Sequence, residues 1–441
     1  MTANKSNDTT AKRSTPRSKK KIVGFGALAI AVILIITLIV FYIIHRADFS
    51  AVGSIKRIEG RERGFVMEYK GDYHLSEFVE RGGVKNDTAV TDFIKDSIFG
   101  GVLSGFIKTK LPEDPYQGKS FYGAVADTDE ACTSFTAVLQ NGNHIFARNY
   151  DNRLGNYLLL KTTPEEGSGR YRSMTSINLR YLSNDKFGYD ADPDGLIERI
   201  TMLAAPYAVL DGMNEKGLAI SVNVLAIDSN RVNKDTTKPD LNTTGVLRMV
   251  LEYCATVDEA IELIGSYDVH DSIGSAYHFQ IADKSGDSAV IEWKSTDYGM
   301  GNIEMKVIRP DRVTVSHEDG SFYSPLIGRS FLINTNHSLI EDERPRVDID
   351  NNEGDIADTR SGNSTRARYN RTLDTLLGKN GVLSNEFQAL EVLSAASYVE
   401  SDPGKTNTFW SVVYNLDTLT AVFIPFRDYN EAPISISLFD Q

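Results

Sequence analysis

The sequence predicts an α+β protein with layered antiparallel sheets, preceded by a single N-terminal transmembrane helix. Three observations support this prediction. The 441 residues are 41% hydrophobic and 24% charged, which is typical of a folded protein with a full core. An uncharged apolar run extends from Ile22 to Ile44. After Cys132, strand-like stretches joined by turn residues alternate with stretches of helical apolar spacing.

The N-terminal region combines a basic tail with this apolar run. Residues 1–21 are rich in lysine and arginine and contain one acidic residue, Asp8. Residues 22–44, at a rise of about 1.5 Å per residue, are long enough to span a bilayer core. A cleaved signal peptide is the alternative, but the run is longer than the usual apolar segment and no small-x-small cleavage site follows it. The positive-inside rule then places the tail in the cytoplasm and exports everything after Arg46.

Composition and motifs exclude several classes of function. The net charge of −13 makes nucleic acid an unexpected partner. The sequence has no P-loop, dinucleotide-binding glycine motif, HExxH or paired CxxC, and its 7 histidines show no ligand spacing, so no metal or organic cofactor is expected. The 2 cysteines exclude a disulfide scaffold. Cys254 lies in a stretch with helical apolar spacing and is interpreted as a core thiol.

Residues 45–131 form a segment of different character between the apolar run and Cys132. Apolar residues recur at helical steps over 88–108, which predicts an amphipathic helix ending before Pro112. One face of such a helix needs a partner. That partner is either the body of the protein or the membrane surface, and periodicity does not distinguish them.

The remainder, residues 132–441, is predicted to contain three hairpins and four helices. The hairpins are SFTAVL with HIFARN, SAYHFQIA with SAVIEWK, and WSVVYN with AVFIPF. The helices span about 243–254, 256–266, 366–378 and 386–397. Ser364 precedes the third helix, and a capping box beginning at Thr256 opens the second.

The first hairpin contains the candidate nucleophile. If Asn141-Gly142 forms a two-residue type I′ turn, Cys132 faces Asp151 across the strands and Arg148 falls on the opposite face. If Cys132 is a chain terminus, its α-amine, with an ordinary pKa of about 8, can accept the thiol proton while Asp151 orients it. Taken singly, a cysteine at a strand start is usually a small buried residue and an aspartate at a strand end a turn former.

A cysteine–histidine enzyme is the other nucleophilic arrangement that these residue types allow. No supporting motif surrounds any of the histidines that could serve as base: His144, His270, His278, His317 and His337.

Five motifs together carry a family resemblance. They are CTSF at Cys132 with Arg148 in FARNYD, DGMNEKGL at Asp211–Leu218, LINTNHSL, RARYNRTLDTLL and WSVVYN. As a set they resemble the choloylglycine hydrolase family, the cysteine N-terminal nucleophile (Ntn) hydrolases that include bile salt hydrolases, penicillin V acylases and linear amide C–N hydrolases. Acid ceramidase and the N-acylethanolamine amidase are similar more distantly. The resemblance extends from Cys132 to about Phe426 and implies a four-layer αββα sandwich.

The resemblance also implies the site residues. Asn223 lies one residue closer to the DGMNEKGL motif than the corresponding residue of bile salt hydrolases, and Asn334 is a rival to Asn336. Arg366 and Arg371 are interpreted as surface neighbours of the functional arginine. The implied set is Cys132 as nucleophile, with Arg148, Asp151, Asn223, Asn336 and Arg368 activating it, forming the oxyanion hole or placing the substrate.

The resemblance implies hydrolysis of a small-molecule N-acyl amide, and the apolar run with its basic tail predicts that a single-pass membrane protein carries this activity outside the membrane. An acyltransferase with the same acyl-thioester and a non-catalytic, membrane-tethered binding protein are the alternatives. Because 131 residues precede Cys132, a free α-amine requires cleavage of the Ala131–Cys132 bond. We expect the 45–131 segment to remain bound to the catalytic domain, residues 132–441, without a covalent link.

Overall fold

A computed structural model describes most of the chain. The described residues are 17–102, 131–153, 155–182, 192–225, 237–272, 276–295, 303–310, 315–316, 322–323, 331–340, 362–400 and 405–439. The end of the amphipathic helix predicted over 88–108, most of the basic tail and His317 lie outside the described residues.

The helices are α1 (Arg17–Ile44), α2 (Arg46–Ser54), α3 (Leu75–Glu80), α4 (Asp87–Ser97), α5 (Leu196–Thr201), α6 (Thr243–Tyr253), α7 (Val257–Gly265), α8 (Thr365–Gly378) and α9 (Glu386–Ala395). The first ten strands are β1 (Lys56–Arg57), β2 (Gly64–Lys70), β3 (Ala131–Leu139), β4 (His144–Arg153), β5 (Tyr157–Thr163), β6 (Ser173–Asn178), β7 (Asp211–Asn214), β8 (Leu218–Val224), β9 (Asp240–Asn242) and β10 (Asp268–His270). The others are β11 (Tyr277–Asp283), β12 (Ser288–Ser295), β13 (Ile303–Ile308), β14 (Val315–Ser316), β15 (Phe322–Tyr323), β16 (Ile333–Asn334), β17 (Val382–Leu383), β18 (Thr406–Asn415), β19 (Thr420–Pro425) and β20 (Ile434–Ser437).

Two large sheets form the centre of the molecule. The nine-stranded sheet has the order β1-β2-β5-β6-β7-β8-β11-β12-β13. The seven-stranded sheet has the order β16-β3-β4-β18-β19-β20, with β17 paired to β3. Helices α6 and α7 pack on the larger sheet, α8 and α9 pack on the smaller one, and β3 contacts β8 between the sheets. The layers therefore follow the order helix, sheet, sheet, helix, as the α+β prediction requires.

The elements of the C-terminal part lie close to their predicted positions. The strands β3 with β4, β11 with β12 and β18 with β19 form the three predicted antiparallel hairpins. The side chains of Ser364 and Thr256 accept hydrogen bonds from Ala367 N–H and Glu259 N–H, so both predicted N-caps are formed. Apolar periodicity was informative here because these helices each bury one face on a sheet.

The 45–131 segment contributes strands to the larger sheet. Strand β2 runs parallel to β5, in register from Gly64 opposite Tyr157 to Lys70 opposite Thr163. Strand β1 extends the same edge. The sequence analysis missed both strands, because GFVMEYK is a short apolar run whose partner lies far along the chain.

Helix α4 is shorter than predicted. It begins after Asn86, whose side chain accepts from Ala89 N–H, and it ends at Ser97. Beyond it, Phe99 and Gly100 adopt left-handed backbone conformations, so the helix predicted over 88–108 breaks near Ile98. Apolar spacing continued past the break because Ile98 and Phe99 are also buried.

No single helix among the described residues is long and apolar enough to cross a membrane. The bent pair formed by Leu28–Ile44 and Arg46–Ser54, with an angle of 66° between its parts, meets the length and composition requirement when taken together.

Candidate active site

The register of the β3–β4 hairpin decides which side chains surround Cys132. Cys132 pairs with Tyr150, and Ala131 pairs with Asp151. The predicted pairing of Cys132 with Asp151 was therefore wrong by one residue. Leu139 N–H donates to Asn143 O (2.7 Å), which closes a three-residue loop instead of a two-residue turn. Gly142 takes the left-handed conformation (φ 91°) that this loop type requires.

This shift by one residue reverses the faces of the strand. Opposed residues of an antiparallel pair lie on the same side of the sheet. The odd-numbered residues Phe135, Ala137 and Ala147 pack with α8 and α9. Cys132 and Tyr150 instead belong to the core between the two sheets. Arg148 lies on the same inner face of the sheet as Cys132. The expectation that Arg148 would lie on the other face was wrong for the same reason.

Arg148 contacts the sulfur of Cys132. Its Nη2 atom lies 3.3 Å from Cys132 Sγ and also donates to Val222 O. Its Nη1 atom forms an ion pair with Asp211 (2.8 Å), and both side chains are fully buried. Burial alone would lower the pKa of the guanidinium, but the negative charges of Cys132 and Asp211 outweigh burial and raise the pKa. Arg148 is thus a fixed cation at the sulfur.

Asp211 anchors Arg148, and the sequence analysis missed it. Its Oδ2 atom also accepts from Trp410 Nε1 (3.0 Å), and its Oδ1 atom accepts from the Tyr414 hydroxyl (2.6 Å). An acid at the first position of the most distinctive motif was the available signal. The motif served only as part of the family resemblance, and no role was given to Asp211, which begins the buried strand β7.

Asp151 lies on the helix-facing side of the hairpin. It accepts a hydrogen bond from Thr408 Oγ1 (2.6 Å), and its Oδ2 atom lies 3.6 Å from Arg368 Nη1. Burial raises the pKa of this carboxyl, and the positive charge of Arg368 opposes that effect only in part. The position of Asp151 makes it a partner of Arg368, not a cross-strand neighbour of Cys132.

Arg368 and Asn336, both candidate site residues from the sequence, hold the backbone of Cys132. Cys132 N–H donates to Asn336 Oδ1 (2.9 Å), and Arg368 Nη2 donates to the same oxygen (2.7 Å). Arg368 Nη1 donates to the carbonyl oxygen of Cys132. The backbone N–H and C=O of Cys132 are therefore both fixed by buried side chains.

The other two asparagines are placed differently. Asn223 Nδ2 donates to Ser134 Oγ (3.2 Å) and Thr335 O (3.2 Å), so its amide is directed at the strand ends beside the nucleophile. Asn334 pairs with Ser134 in the sheet. Of the candidates Asn334 and Asn336, it is Asn336 that has a hydrogen bond to Cys132, and its Nδ2 atom donates to Val224 O (2.8 Å).

A pocket opens at Cys132 and Arg148. Including its mouth, it encloses about 740 Å³, and most of its lining side chains are apolar. Helix α4 forms part of the wall, so the segment before Cys132 lines the same cavity as Cys132. Besides Cys132 and Arg148, the lining includes Val90, Ile94, Tyr150, Tyr181, Leu182, Tyr207, Leu210, Val222, Val224 and Tyr277.

The second cysteine has a different environment. Cys254 is buried at the C-terminal end of α6, and its backbone N–H bonds to Val250 O. Burial raises the pKa of its thiol to about 12. This agrees with the prediction that Cys254 is a core thiol.

A buried histidine supports the strand end that contains Asn336. His278 Nδ1 lies 3.0 Å from Glu292 Oε1, and its Nε2 lies 2.7 Å from Thr335 O. No hydrogen bond connects His278 to Cys132 in the described part of the chain. The sequence analysis had considered His278 only as a catalytic base. The predicted hairpin of β11 and β12 brings His278 and Glu292 onto neighbouring strands, which was the available signal.

One group of side chains in the described residues has the composition of a metal site. Ligand atoms of Asp240, Asp268 and His270 lie within 4.8 Å of one another on β9 and β10. All three are partly exposed, and His270 Nε2 bonds to Asp240 Oδ1 (2.8 Å). A surface group of this kind is common without an ion, and we assign no metal to it.

The layer order is that of an αββα protein, with a buried cysteine–arginine pair between its two sheets. The chain belongs to the acyl-coenzyme A:6-aminopenicillanic acid acyl-transferase family, whose sequence model matches residues 138–425. The predicted resemblance to choloylglycine hydrolases and penicillin acylases is confirmed.

One curated relative and two solved structures are similar to parts of the chain. The penicillin V acylase of Pectobacterium atrosepticum is 37% identical over 92 residues, which are 19% of this chain and about a quarter (24%) of that protein. The conjugated bile acid hydrolase of Clostridium perfringens, solved as a mutant, superposes with a TM-score of 0.44 at 14% identity, over 69% of this chain and 92% of that chain. The penicillin V acylase of Agrobacterium tumefaciens superposes with a TM-score of 0.40 at 19% identity, over 69% and 84%.

Proposed function

We propose that this protein hydrolyses a small N-acyl amide, with Cys132 as an N-terminal nucleophile. One observation carries the proposal. The sulfur of Cys132 lies 3.3 Å from a buried guanidinium, at the wall of an apolar pocket. A cation beside a thiol favours the thiolate, which is the form that attacks a carbonyl. The membership of the chain in a family of amide-bond acylases supports the same chemistry.

The reaction follows from the contacts of Cys132. The thiolate attacks the substrate carbonyl carbon, and the carbonyl electrons move onto oxygen. After cleavage of the Ala131–Cys132 bond, the nitrogen that now donates to Asn336 Oδ1 is an amine, which takes the thiol proton and later delivers it to the leaving amine. Water then adds to the thioester carbonyl and releases the acid, and the thiol is restored.

Oxyanion stabilisation is assigned to the amides at the strand ends. Asn336 Nδ2 has a second N–H besides the one that donates to Val224 O, whereas Asn223 Nδ2 donates to both Ser134 Oγ and Thr335 O and would have to exchange one of these bonds for the oxyanion. Removal of one such donor costs about 3–4 kcal/mol in comparable sites. Arg368, supported by Asp151, fixes the Cys132 carbonyl and keeps the nucleophile in position.

Maturation is proposed to use the same sulfur. Attack of the Cys132 thiolate on the Ala131 carbonyl, with departure of the Cys132 nitrogen, gives a thioester that water hydrolyses. The products are an N-terminal fragment ending in Ala131 and a catalytic fragment beginning with Cys132. The hydrogen bonds of β2 with β5 and the burial of Val90, Phe93 and Ile94 support continued association of the two.

The N-terminal fragment is also proposed to be the membrane anchor. The large apolar side chains between Leu28 and Ile44 are mostly exposed, including Ile33, Leu38 and Ile43. The basic tail before them favours a cytoplasmic N terminus and an extracytoplasmic catalytic domain. Exposed apolar residues on several sides of one helix are suited to lipid.

An acyltransferase is the second candidate, because the matched family is named for an acyl-transferase. In that reaction an amine replaces water at the thioester, and the same side chains act. Competition between water and added amines for the acyl group distinguishes the two.

The first prediction tests the nucleophile. Cys132→Ala and Cys132→Ser should abolish release of amine from a panel of N-acyl amides, whereas Cys254→Ala should retain wild-type turnover. The loss of one buried sulfur leaves at most a small cavity, so the melting temperature of the Cys132 variants should change little. Turnover by Cys132→Ala, or its loss in Cys254→Ala at an unchanged melting temperature, would overturn the assignment.

A further inference from the structure

The corner between helices α1 and α2 carries exposed aromatic side chains. Tyr42, near the end of α1, is 55% exposed, and Phe49 of α2 is 40% exposed. Their rings stack with centroids 5.6 Å apart. Phe41 is partly buried, and its ring lies 6.2 Å from that of Phe49. The exposed apolar surface of α1 therefore continues past the end of that helix onto α2.

The chain after α4 reaches the same corner. The ring of Phe99 lies 5.0 Å from that of Phe49 and 6.1 Å from that of Phe41. Val102, three residues after Phe99, is 68% exposed. Two separate segments of the chain thus form one surface, which we call the aromatic corner: Phe41, Tyr42, Phe49, Phe99 and Val102.

The polar side chains at this corner are directed inward. His45 at the bend and Asp48 of α2 are both buried. His45 Nδ1 lies 3.0 Å from Asp48 Oδ2, and Asp48 Oδ1 accepts a hydrogen bond from the Tyr69 hydroxyl of β2. Surfaces that face water usually show the reverse pattern, with charged groups outward. A corner that buries its polar groups and exposes aromatic rings is suited to the boundary between water and lipid.

The angle at the bend gives α2 an orientation that fits a bilayer surface. His45 N–H donates to Phe41 O and Phe49 N–H donates to His45 O, so backbone hydrogen bonds connect α1 to α2. The angle between the two helices is 66°. When α1 stands along the normal of a bilayer, α2 runs closer to the membrane plane than to the normal. Arg46, the first residue of α2, is exposed and can reach lipid headgroups.

We propose that the aromatic corner inserts into the headgroup region of a phospholipid bilayer and docks the body of the protein on the membrane. The proposal rests on the proposed anchoring by residues 22–44 and goes beyond it, because an anchor alone leaves the body free to tilt. Tyr42, Phe49 and Val102 are the side chains that contact lipid. Helix α4 lines the pocket and leads into the corner, so docking holds the pocket at a fixed distance from the bilayer.

The test measures contact between the corner and lipid in the full-length protein. The protein is reconstituted into phosphatidylcholine vesicles with or without bromine on the acyl chains, since bromine quenches a tryptophan that it contacts. The variants are Phe49→Trp and Val102→Trp, and the signal of the 2 native tryptophans is subtracted by measuring the unsubstituted protein. Most of the added fluorescence should be lost in brominated vesicles. Bromine near the glycerol end of the chain should quench more than bromine near the methyl end, because an interfacial helix is inserted only about 5–10 Å.

Two further variants are matched controls. Tyr42→Trp lies in the proposed anchor and should be quenched whether or not the body docks. Phe387→Trp lies on α9, which packs on the smaller sheet, whereas α2 packs on the larger one. Phe387 is 56% exposed, and its replacement should fluoresce equally in both kinds of vesicle. Val102→Trp does not depend on the packing of Phe49, because the side chain of Val102 is mostly exposed.

Flotation of the vesicles separates failure of the anchor from failure of the docking. If the protein does not float with the vesicles, or if Tyr42→Trp is not quenched, the proposed anchor fails and the inference fails with it. If Tyr42→Trp is quenched but folded Phe49→Trp or Val102→Trp is not, the body is tethered without docking, and the inference alone is overturned. Equal quenching of Phe387→Trp also overturns it, because lipid contact would then not be specific to the aromatic corner.

Discussion

The two cysteines lie in different local environments. Both are buried. Cys132 has a guanidinium 3.3 Å from its sulfur, whereas burial raises the pKa of the Cys254 thiol to about 12. Burial disfavours a thiolate, and a cation at contact distance offsets that cost. Reactivity at neutral pH is therefore expected at Cys132 alone.

The second prediction concerns Arg148. In a Cys254→Ala background, Cys132 is the only thiol, so alkylation by iodoacetamide reports on it directly. The double variant Arg148→Gln, Asp211→Asn removes the cation without leaving a buried carboxylate unpaired. The pH midpoint of alkylation should rise by about 1–3 units, because an opposite charge at this distance favours the ionised form.

Two outcomes decide this experiment. Arg366→Gln is the control: it changes an arginine of α8 that lies outside the pocket lining, and it should leave the alkylation profile in place. A double variant that keeps the wild-type midpoint and a folded melting transition would show that Arg148 does not activate the sulfur.

At the scale of single residues, the sequence predicted which residues lie near Cys132 better than it predicted their positions around it. Asn336 and Arg368, both selected from motifs, contact the backbone of Cys132. The predicted pairing of Cys132 with Asp151 was wrong because the loop after Leu139 has one more residue than a type I′ turn. A slip of one residue moves every side chain of a strand to the other face. The predicted positions of Arg148 and Asp151 therefore depended on the turn type. A turn sequence of this kind can adopt more than one turn type.

Strands β11 and β12 support the end of β16 through a buried pair of hydrogen-bonded side chains, Glu292 and His278. Glu292 Oε1 accepts from His278 Nδ1 (3.0 Å) and from Leu339 N–H (2.8 Å), and its Oε2 accepts from Ser338 Oγ (2.6 Å). His278 Nε2 must donate to Thr335 O, because a backbone carbonyl only accepts. This network fixes the segment that contains Asn336, so strands of the larger sheet position a residue at the nucleophile.

The third prediction follows from Glu292. Burial opposes ionisation, but the hydrogen bonds from His278, Leu339 and Ser338 lower its pKa below the ordinary value of 4.5. A lowered folded-state pKa contributes stability above pH 4.5 that is lost as pH falls through the folded value. Glu292→Gln should therefore lower the free energy of unfolding at neutral pH by about 3–5 kcal/mol, which is measured as a lower melting temperature. The difference in melting temperature from the wild-type protein should be smaller at acid pH.

The control for Glu292 is on the neighbouring strand. Glu304 of β13 is exposed, so Glu304→Gln should match the wild-type melting temperature at every pH. A deficit in Glu292→Gln that is the same at pH 7 and at acid pH would contradict the ionised pair.

Elements with local signals were predictable, and elements with distant partners were not. Helices α6 to α9 and the three hairpins follow from periodicity and turn residues. Strand β2 pairs with β5, which lies beyond residues 103–130 in the sequence. No local sequence pattern predicts a partner at such a distance along the chain. Left-handed residues Phe99 and Gly100 ended α4 early, although its apolar spacing continued.

On the scale of the whole molecule, the segment before Cys132 is part of the fold. It supplies β1 and β2 to the edge of the nine-stranded sheet and a wall of the pocket through α4. Helix α2 packs on β2, and Phe78 and Phe93 contact Tyr207 of the catalytic part. A cut at Ala131–Cys132 would leave these contacts in place. We therefore expect two fragments that separate only on denaturation.

The measurement that tests the central claim most directly is N-terminal sequencing. The active, purified full-length protein is run on native and on denaturing gels, and the bands are sequenced. The account predicts one species on the native gel and two fragments under denaturing conditions, the larger beginning Cys-Thr-Ser-Phe. Cys132→Ala should give a single uncut chain. An active enzyme in which the Ala131–Cys132 bond is intact would contradict the account, because Cys132 would then have no α-amine to act as its base.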